Sequence, residues 1–183
     1  MNNIVVVKET LDLLPFKEAL TWERYQSLCT DILYKLFNSS DSRDYLSKGH
    51  NQDGIDVYSF DKGDNEKRVA QCKLEKYTGP KQIEKIIETF LNGNLVENTK
   101  EFILCTSFDL GKLKNAEDAT IKARAKLAEK GIDLRVWDAR GLSTVLRTNS
   151  SPDILHIISR YFGENVTLSF YGEVWTDYVK KLS

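Results

Sequence analysis

No stretch of this chain approaches the roughly 20 consecutive apolar residues that a membrane-spanning helix requires. Its three cysteines, Cys29, Cys72 and Cys105, include no CxxC pair, so neither a disulfide framework nor a zinc site is favoured. Each lies in an apolar pattern and reads as a buried, reduced thiol of a cytoplasmic protein. The phosphate-cradling GxxxxGK[ST] loop is absent, which leaves any nucleotide hydrolysis to another module. Internal repeats and low-complexity tracts are lacking. So is an excess of charge: 26 basic residues face 27 acidic ones, and the pI is about 6.2. The whole chain therefore has no field that would draw nucleic acid toward it, and any such contact must use a local patch. The opening Met1-Asn2-Asn3-Ile4-Val5-Val6-Val7-Lys8 carries a short apolar patch without a basic flank or cleavage site, which predicts no secretory leader.

What is present is ordinary globular composition, 41% hydrophobic and 29% charged over 183 residues, enough for one domain with a real core. The apolar stripe Trp22, Tyr25, Leu28, Cys29, Ile32, Leu33 and Leu36 predicts a helix from about Thr21, its N-cap, to Phe37. Asn38 to Ser42 ends it, and a short strand is expected from Arg43 to Leu46. Gly79-Pro80 opens a second helix reaching about Leu91. Glu101 to Thr106 reads as a buried strand, and Lys114 to Lys130 as a helix stopped by Gly131. Ile132 to Trp137 is a last strand, followed by helix from Leu142 to Tyr161 with an interruption near Pro152. This order, α-β-β-β-α-β and then α-β-α, predicts an α/β sandwich around a mixed central sheet with a C-terminal helical extension.

Between the first and second long helices lie two strand patterns, Gly54-Ile55-Asp56-Val57-Tyr58 and Val69-Ala70-Gln71-Cys72-Lys73, joined by the turn-rich Asp61-Lys62-Gly63-Asp64-Asn65-Glu66. In a simple hairpin with Phe60 facing Lys67, residue numbers across the ladder keep a constant sum, and Asp56 falls opposite Gln71. Gln71 and Lys73 then share one face while Cys72 points into the packed side. A carboxylate, an amide oxygen and an ammonium on one small surface suit a divalent metal beside a scissile phosphate. The alternative reading of the same residues is a salt-bridged strand pair of Asp56 with Lys73.

Asp56 followed by Gln71-x-Lys73 resembles the metal site of the PD-(D/E)XK nucleases, in their Mrr-like restriction endonuclease branch, where Gln commonly replaces the second acid. The likeness extends to Trp22-Glu23-Arg24-Tyr25-Gln26-x-Leu28-Cys29-Thr30-Asp31-Ile32-Leu33 and Gly49-His50-x-Gln52-x-Gly54-Ile55-Asp56. Phe102-Ile103-Leu104-Cys105-Thr106-Ser107, Gly131-Ile132-x-Leu134-x-Val136-Trp137-Asp138 and Tyr161-Phe162-Gly163 resemble the continuation found where such domains are fused to STAND-type NTPases of antiphage systems.

The resemblance implies a restriction-endonuclease-like α-β-β-β-α-β core, one nuclease domain over 1–183 with its core at about 14–172, of a kind also found within longer proteins. It further implies Mg²⁺-dependent cleavage of double-stranded DNA, with Mn²⁺ as a substitute. Asp56, Gln71 and the backbone carbonyl of Cys72 would bind the metal, and Lys73 would orient or deprotonate the attacking water. Replacing an acid with Gln71 predicts weak metal affinity until DNA phosphate completes the shell.

Related domains often draw a further acid from the first helix. In this chain Gln26 stands where many carry that acid, so either Glu23 substitutes from the first helical turn, although the apolar stripe turns it nearly opposite the core, or the acid is absent and the site has one ligand fewer. Glu23 also suits the positive end of the helix dipole. Lys76, Lys81 and Lys85 after the site, with Lys48 and Arg43 before it, would supply local positive charge, Lys85 from a solvated helix face. His50 and Gln52 belong to a polar loop feeding Asp56, and His156 is expected as a hydrogen-bonded residue at the core edge. The aromatic stretch Phe170-Tyr171-Gly172-Glu173-Val174-Trp175 is expected to contact something beyond the domain. The partners implied are double-stranded DNA, further copies of the chain and a fused NTPase or sensor module, with no membrane. A catalytically silent nucleic-acid-binding or assembly module is the alternative function.

Overall fold

The computed structural model describes residues 11–44 and 55–182. A single turn, α1 (Phe16–Ala19), precedes the long helix α2 (Trp22–Leu36), and Thr21 caps the latter by accepting a hydrogen bond from the Arg24 N–H at 3.3 Å. Asn38 takes a positive φ of 47° and reverses the chain, an uncommon conformation that Asn tolerates better than most residues. The next segment is extended as β1 (Ser39–Asp44), so the first strand begins earlier than the Arg43–Leu46 segment expected from sequence, whose last two residues lie outside the described residues. Then follow β2 (Val57–Asp61), β3 (Lys67–Lys73), α3 (Pro80–Leu91), β4 (Thr99–Thr106), α4 (Ala116–Ala128) and β5 (Asp133–Trp137). Four helices close the chain: α5 (Ala139–Thr148), α6 (Pro152–Phe162), α7 (Glu164–Tyr171) and α8 (Glu173–Leu182).

The five strands form one sheet in sequence order. β1, β2 and β3 are antiparallel, whereas β3, β4 and β5 run parallel. Parallel neighbours need a crossover, and α3 and α4 supply the two. Both pack on one face, where Ile83, Ile86, Ile87, Phe90, Ala123 and Leu127 cover Val69, Phe102, Leu104 and Leu134. The opposite face carries Val57, Ala70, Cys72, Ile103, Cys105 and Trp137 beneath α2 and the C-terminal helices. The fold is therefore an α/β/α sandwich, and its strands alternate core contacts between two faces as a sheet buried on both sides must.

The C-terminal segment meets expectation in its helices and differs in its aromatic stretch and in His156. The interruption expected near Pro152 is present: α5 ends at Thr148, and Ser151 and Pro152 start α6 afresh, with Ser151 accepting from the Ile154 N–H. The aromatic stretch turns inward: Phe170 and Tyr171 are buried edge-to-face at 4.8 Å, the Tyr171 hydroxyl donates to the Leu146 carbonyl at 3.0 Å, and Trp175 joins the same core. Burial of these rings against α5 is what holds α7 and α8 to the sheet. His156 is exposed, because Ile154, Leu155, Ile157 and Ile158 take the buried positions of α6.

Candidate functional site

The β2–β3 register keeps a constant sum from Phe60 opposite Lys67 to Val57 opposite Ala70. Asp56 lies just before β2 and donates its N–H to the Ala70 carbonyl at 2.9 Å. Beyond that point the two strands part, while β3 continues alongside β4 as far as Lys73 opposite Thr106. The split leaves the β3 edge without a backbone acceptor, and the Asp56 side chain takes its place. Its Oδ2 accepts from the Cys72 N–H at 2.7 Å and from the Gln71 Nε2 at 2.5 Å.

In an extended strand the N–H and C=O of one residue point to the same edge. The Lys73 carbonyl accepts from the Ser107 N–H on the β4 side, so the Cys72 carbonyl points the other way, toward Asp56. Asp56 is 1% exposed and Gln71 5%, so the carboxylate sits in a pocket, not on open surface.

Gln26 is the third side chain here. Its Nε2 donates to the Asp56 carbonyl at 3.3 Å, and its Oε1 is buried with no hydrogen-bond partner among the described residues. An unsatisfied buried acceptor is costly, and this one belongs to a side chain whose amide nitrogen touches the Asp56 backbone. Glu23, by contrast, is exposed in the first turn of α2. One helical turn deeper, the helix presents Gln26 to Asp56. The signal was in the sequence, since Gln26 borders the apolar stripe.

Lys73 is half-buried on the α3 face, and its ammonium makes no ion pair or hydrogen bond among the described residues. The carboxylate is thus held by Gln71 and the Cys72 amide, and not by a salt bridge to Lys73. A groove of about 230 Å³ runs from Gln71 and Lys73 along Glu75, Gln82, Lys85 and Ile86. Lys81 and Lys85 are exposed on α3, as expected for a solvated face. Lys48, His50 and Gln52 lie outside the described residues, as do the side chains of Arg43 and its β1 neighbours from Ser40 on.

Tested for a hard divalent cation, the oxygens fit in chemical type. The Asp56 carboxylate, the Cys72 carbonyl and the Gln26 amide oxygen are donor types that such an ion accepts. Gln71 spends its amide N–H on Asp56, so its oxygen serves a cation only after the amide turns over.

On the other side of β3 the Cys72 side chain enters the core beside Cys29 and Cys105. Burial pushes the Tyr25 hydroxyl and the Cys29 thiol well above their ordinary pKa values, whereas hydrogen bonds from Cys29 and Cys72 pull Cys105 below its own. Among the described residues, no helix is long and apolar enough to cross a membrane. Compared with protein-family models, curated proteins and solved structures, the chain matches none of them.

Proposed function

We propose that the chain is a metal-dependent endodeoxyribonuclease of the Mrr-like PD-(D/E)XK kind, hydrolysing double-stranded DNA with Mg²⁺ or Mn²⁺. The observation that carries this reading is the convergence of Asp56, Gln71, the Cys72 backbone and the unpartnered Gln26 oxygen where β2 leaves β3. In this reading Asp56, Gln26 and the Cys72 carbonyl would hold the cation, with Gln71 able to join once its amide is turned over. When bound, the cation would supply Lewis acidity toward the phosphate and the attacking water. Lys73 borders the adjoining groove, where its ammonium orients the attacking water and offsets charge building on the phosphate. Lys81 and Lys85 on α3 extend a basic track for the DNA backbone, a contact that positions without reading sequence.

With a net charge of −1, the domain gathers little DNA by long-range attraction, so it acts in the cytoplasm as a clustered effector of antiphage defence, through its own copies or a fused NTPase or sensor module. A second reading, a silent DNA-binding or assembly module, draws on the 1% exposure of Asp56 and on its two satisfied contacts.

Supercoiled plasmid incubated with the protein and Mg²⁺, Mn²⁺ or chelator separates the two. Metal-dependent nicking that vanishes in Asp56→Asn supports the nuclease. DNA retention without nicking, indifferent to metal, supports the module. Repeating the assay across a dilution series tests clustering, since a rate per site that stays constant removes the need for assembly.

A further inference from the structure

Three cysteines that are distant in sequence meet in the core. Cys29 comes from the middle of α2, and Cys72 and Cys105 are paired across the β3–β4 ladder. Their sulfurs all lie within 4.8 Å of one another, and no cysteine is more than 1% exposed. The centre of a triangle of that side is about 2.8 Å from each corner, and zinc–thiolate bonds measure about 2.3 Å. Each sulfur therefore has to move inward by only about 0.5 Å to share a metal.

A second observation points the same way. Tyr25, one helical turn before Cys29, is 0% exposed, and its hydroxyl has no hydrogen-bond partner among the described residues. Burial acts on it most strongly, and its polar neighbours are the three thiols, of which Cys29 lies near enough for a weak hydrogen-bonding interaction. A buried cysteine alone behaves as a small hydrophobe, and packing accounts for each thiol taken singly. It does not account for a buried phenol oxygen whose polar neighbours are three sulfurs, because a thiol is only a weak hydrogen-bonding partner.

We propose that Cys29, Cys72 and Cys105 form a buried site for a thiophilic d¹⁰ cation, Zn²⁺, Cd²⁺ or Cu⁺, with the Tyr25 oxygen completing the shell. Each thiol that binds releases its proton to solvent as the sulfur–metal bond forms. Soft sulfur ligands discriminate against Mg²⁺, and the hard oxygen set around Asp56 lies across the strand, so ligand softness sorts the two kinds of ion. Because the thiols are sealed in the core, loading takes place while the chain folds or opens. Cys72 belongs to both surroundings, its carbonyl facing Asp56 and its sulfur facing the trio, so a bound ion braces the strand from behind. The thiol site does not depend on the hydrolytic reading.

The test is to refold the full chain from denaturant under a non-chelating reductant, without metal or with Zn²⁺ or Cd²⁺, and then to remove excess ion by gel filtration. The expected result is one equivalent of metal per chain by mass spectrometry, an ultraviolet sulfur-to-cadmium charge-transfer band, and a melting temperature raised by at least about 5 °C. Asp56→Asn, which leaves all three thiols and Tyr25 in place, should retain the metal and the band. Tyr25→Phe, which keeps the ring packing, should weaken binding roughly tenfold, and Cys29→Ala or Cys105→Ala by 100-fold or more. Should the cysteine variants fail to fold, wild type and Tyr25→Phe decide. A wild-type chain that refolds to the same melting temperature and carries no metal overturns the site, and so does metal lost in Asp56→Asn but kept in the cysteine variants.

Discussion

Asp56→Ala removes the acceptor of two buried donors, the Cys72 N–H at 2.7 Å and the Gln71 amide at 2.5 Å. Each donor left unsatisfied in a buried site costs roughly 1–3 kcal/mol, and relief of a buried charge offsets part of this. The net expectation is a loss of about 2–5 kcal/mol, which for a domain of this size lowers the melting temperature by about 5–15 °C. Asp56 is thus both ligand and structural acceptor, unlike a surface carboxylate whose removal leaves the fold untouched. Asp56→Asn keeps the volume and one oxygen for the Cys72 N–H, so it should cost only about 1–2 kcal/mol. Both variants should lose cleavage entirely, since neither leaves a negative oxygen for the cation. The assay pairs urea melts with plasmid nicking. Two results would refute the reasoning: an Asp56→Ala protein as stable as wild type, or an Asp56→Asn protein that still cuts.

Gln71→Glu sets a second carboxylate about where an amide now touches Asp56, so the metal-free protein should lose roughly 1–3 kcal/mol through like-charge repulsion. Mg²⁺ should then raise its melting temperature more than it raises that of wild type, and equal shifts would remove Gln71 from the metal shell. Gln26→Met removes the unpartnered buried oxygen at nearly constant volume, so stability should change by less than about 1 kcal/mol, while Mg²⁺ affinity by calorimetry should fall. Phe170→Ala should cost about 3–5 kcal/mol in a denaturant melt, because its ring fills the core; a neutral effect would restore an outward role for this segment. For Asp61, burial opposes ionisation, but hydrogen bonds from Arg68 and Lys100 outweigh it and hold the carboxyl below its ordinary value. Its stabilisation is present above the unfolded pKa of about 4 and is lost as pH falls through the folded value. Asp61→Asn should therefore flatten the acid limb of stability against pH, leaving a smaller difference from wild type at pH 2 than at pH 7.

The local elements were legible in the residues because they depend on local physics. The α2 stripe, the Thr21 cap, the Gly79-Pro80 start of α3 and the Phe60–Lys67 register follow from helical period, capping chemistry and turn length. That register alone brought Asp56 close to Gln71. The sequence did not decide which oxygens become buried or which groups satisfy them. Asp56 became the acceptor of the Cys72 N–H because β2 stops pairing while β3 continues beside β4, a consequence of the whole sheet. Gln26, not Glu23, reached Asp56 because the packing of α2 on the sheet sets its rotation. Phe170, Tyr171 and Trp175 read as an outward aromatic patch until α5 and α6 offered a surface to bury them. The cysteine trio had no signal in spacing at all, since residues from a helix and two strands converge only when α2 lies down across β3 and β4. Contacts between residues far apart in the chain depend on how complete faces pack, and a pattern read along one segment carries no record of the face it will meet.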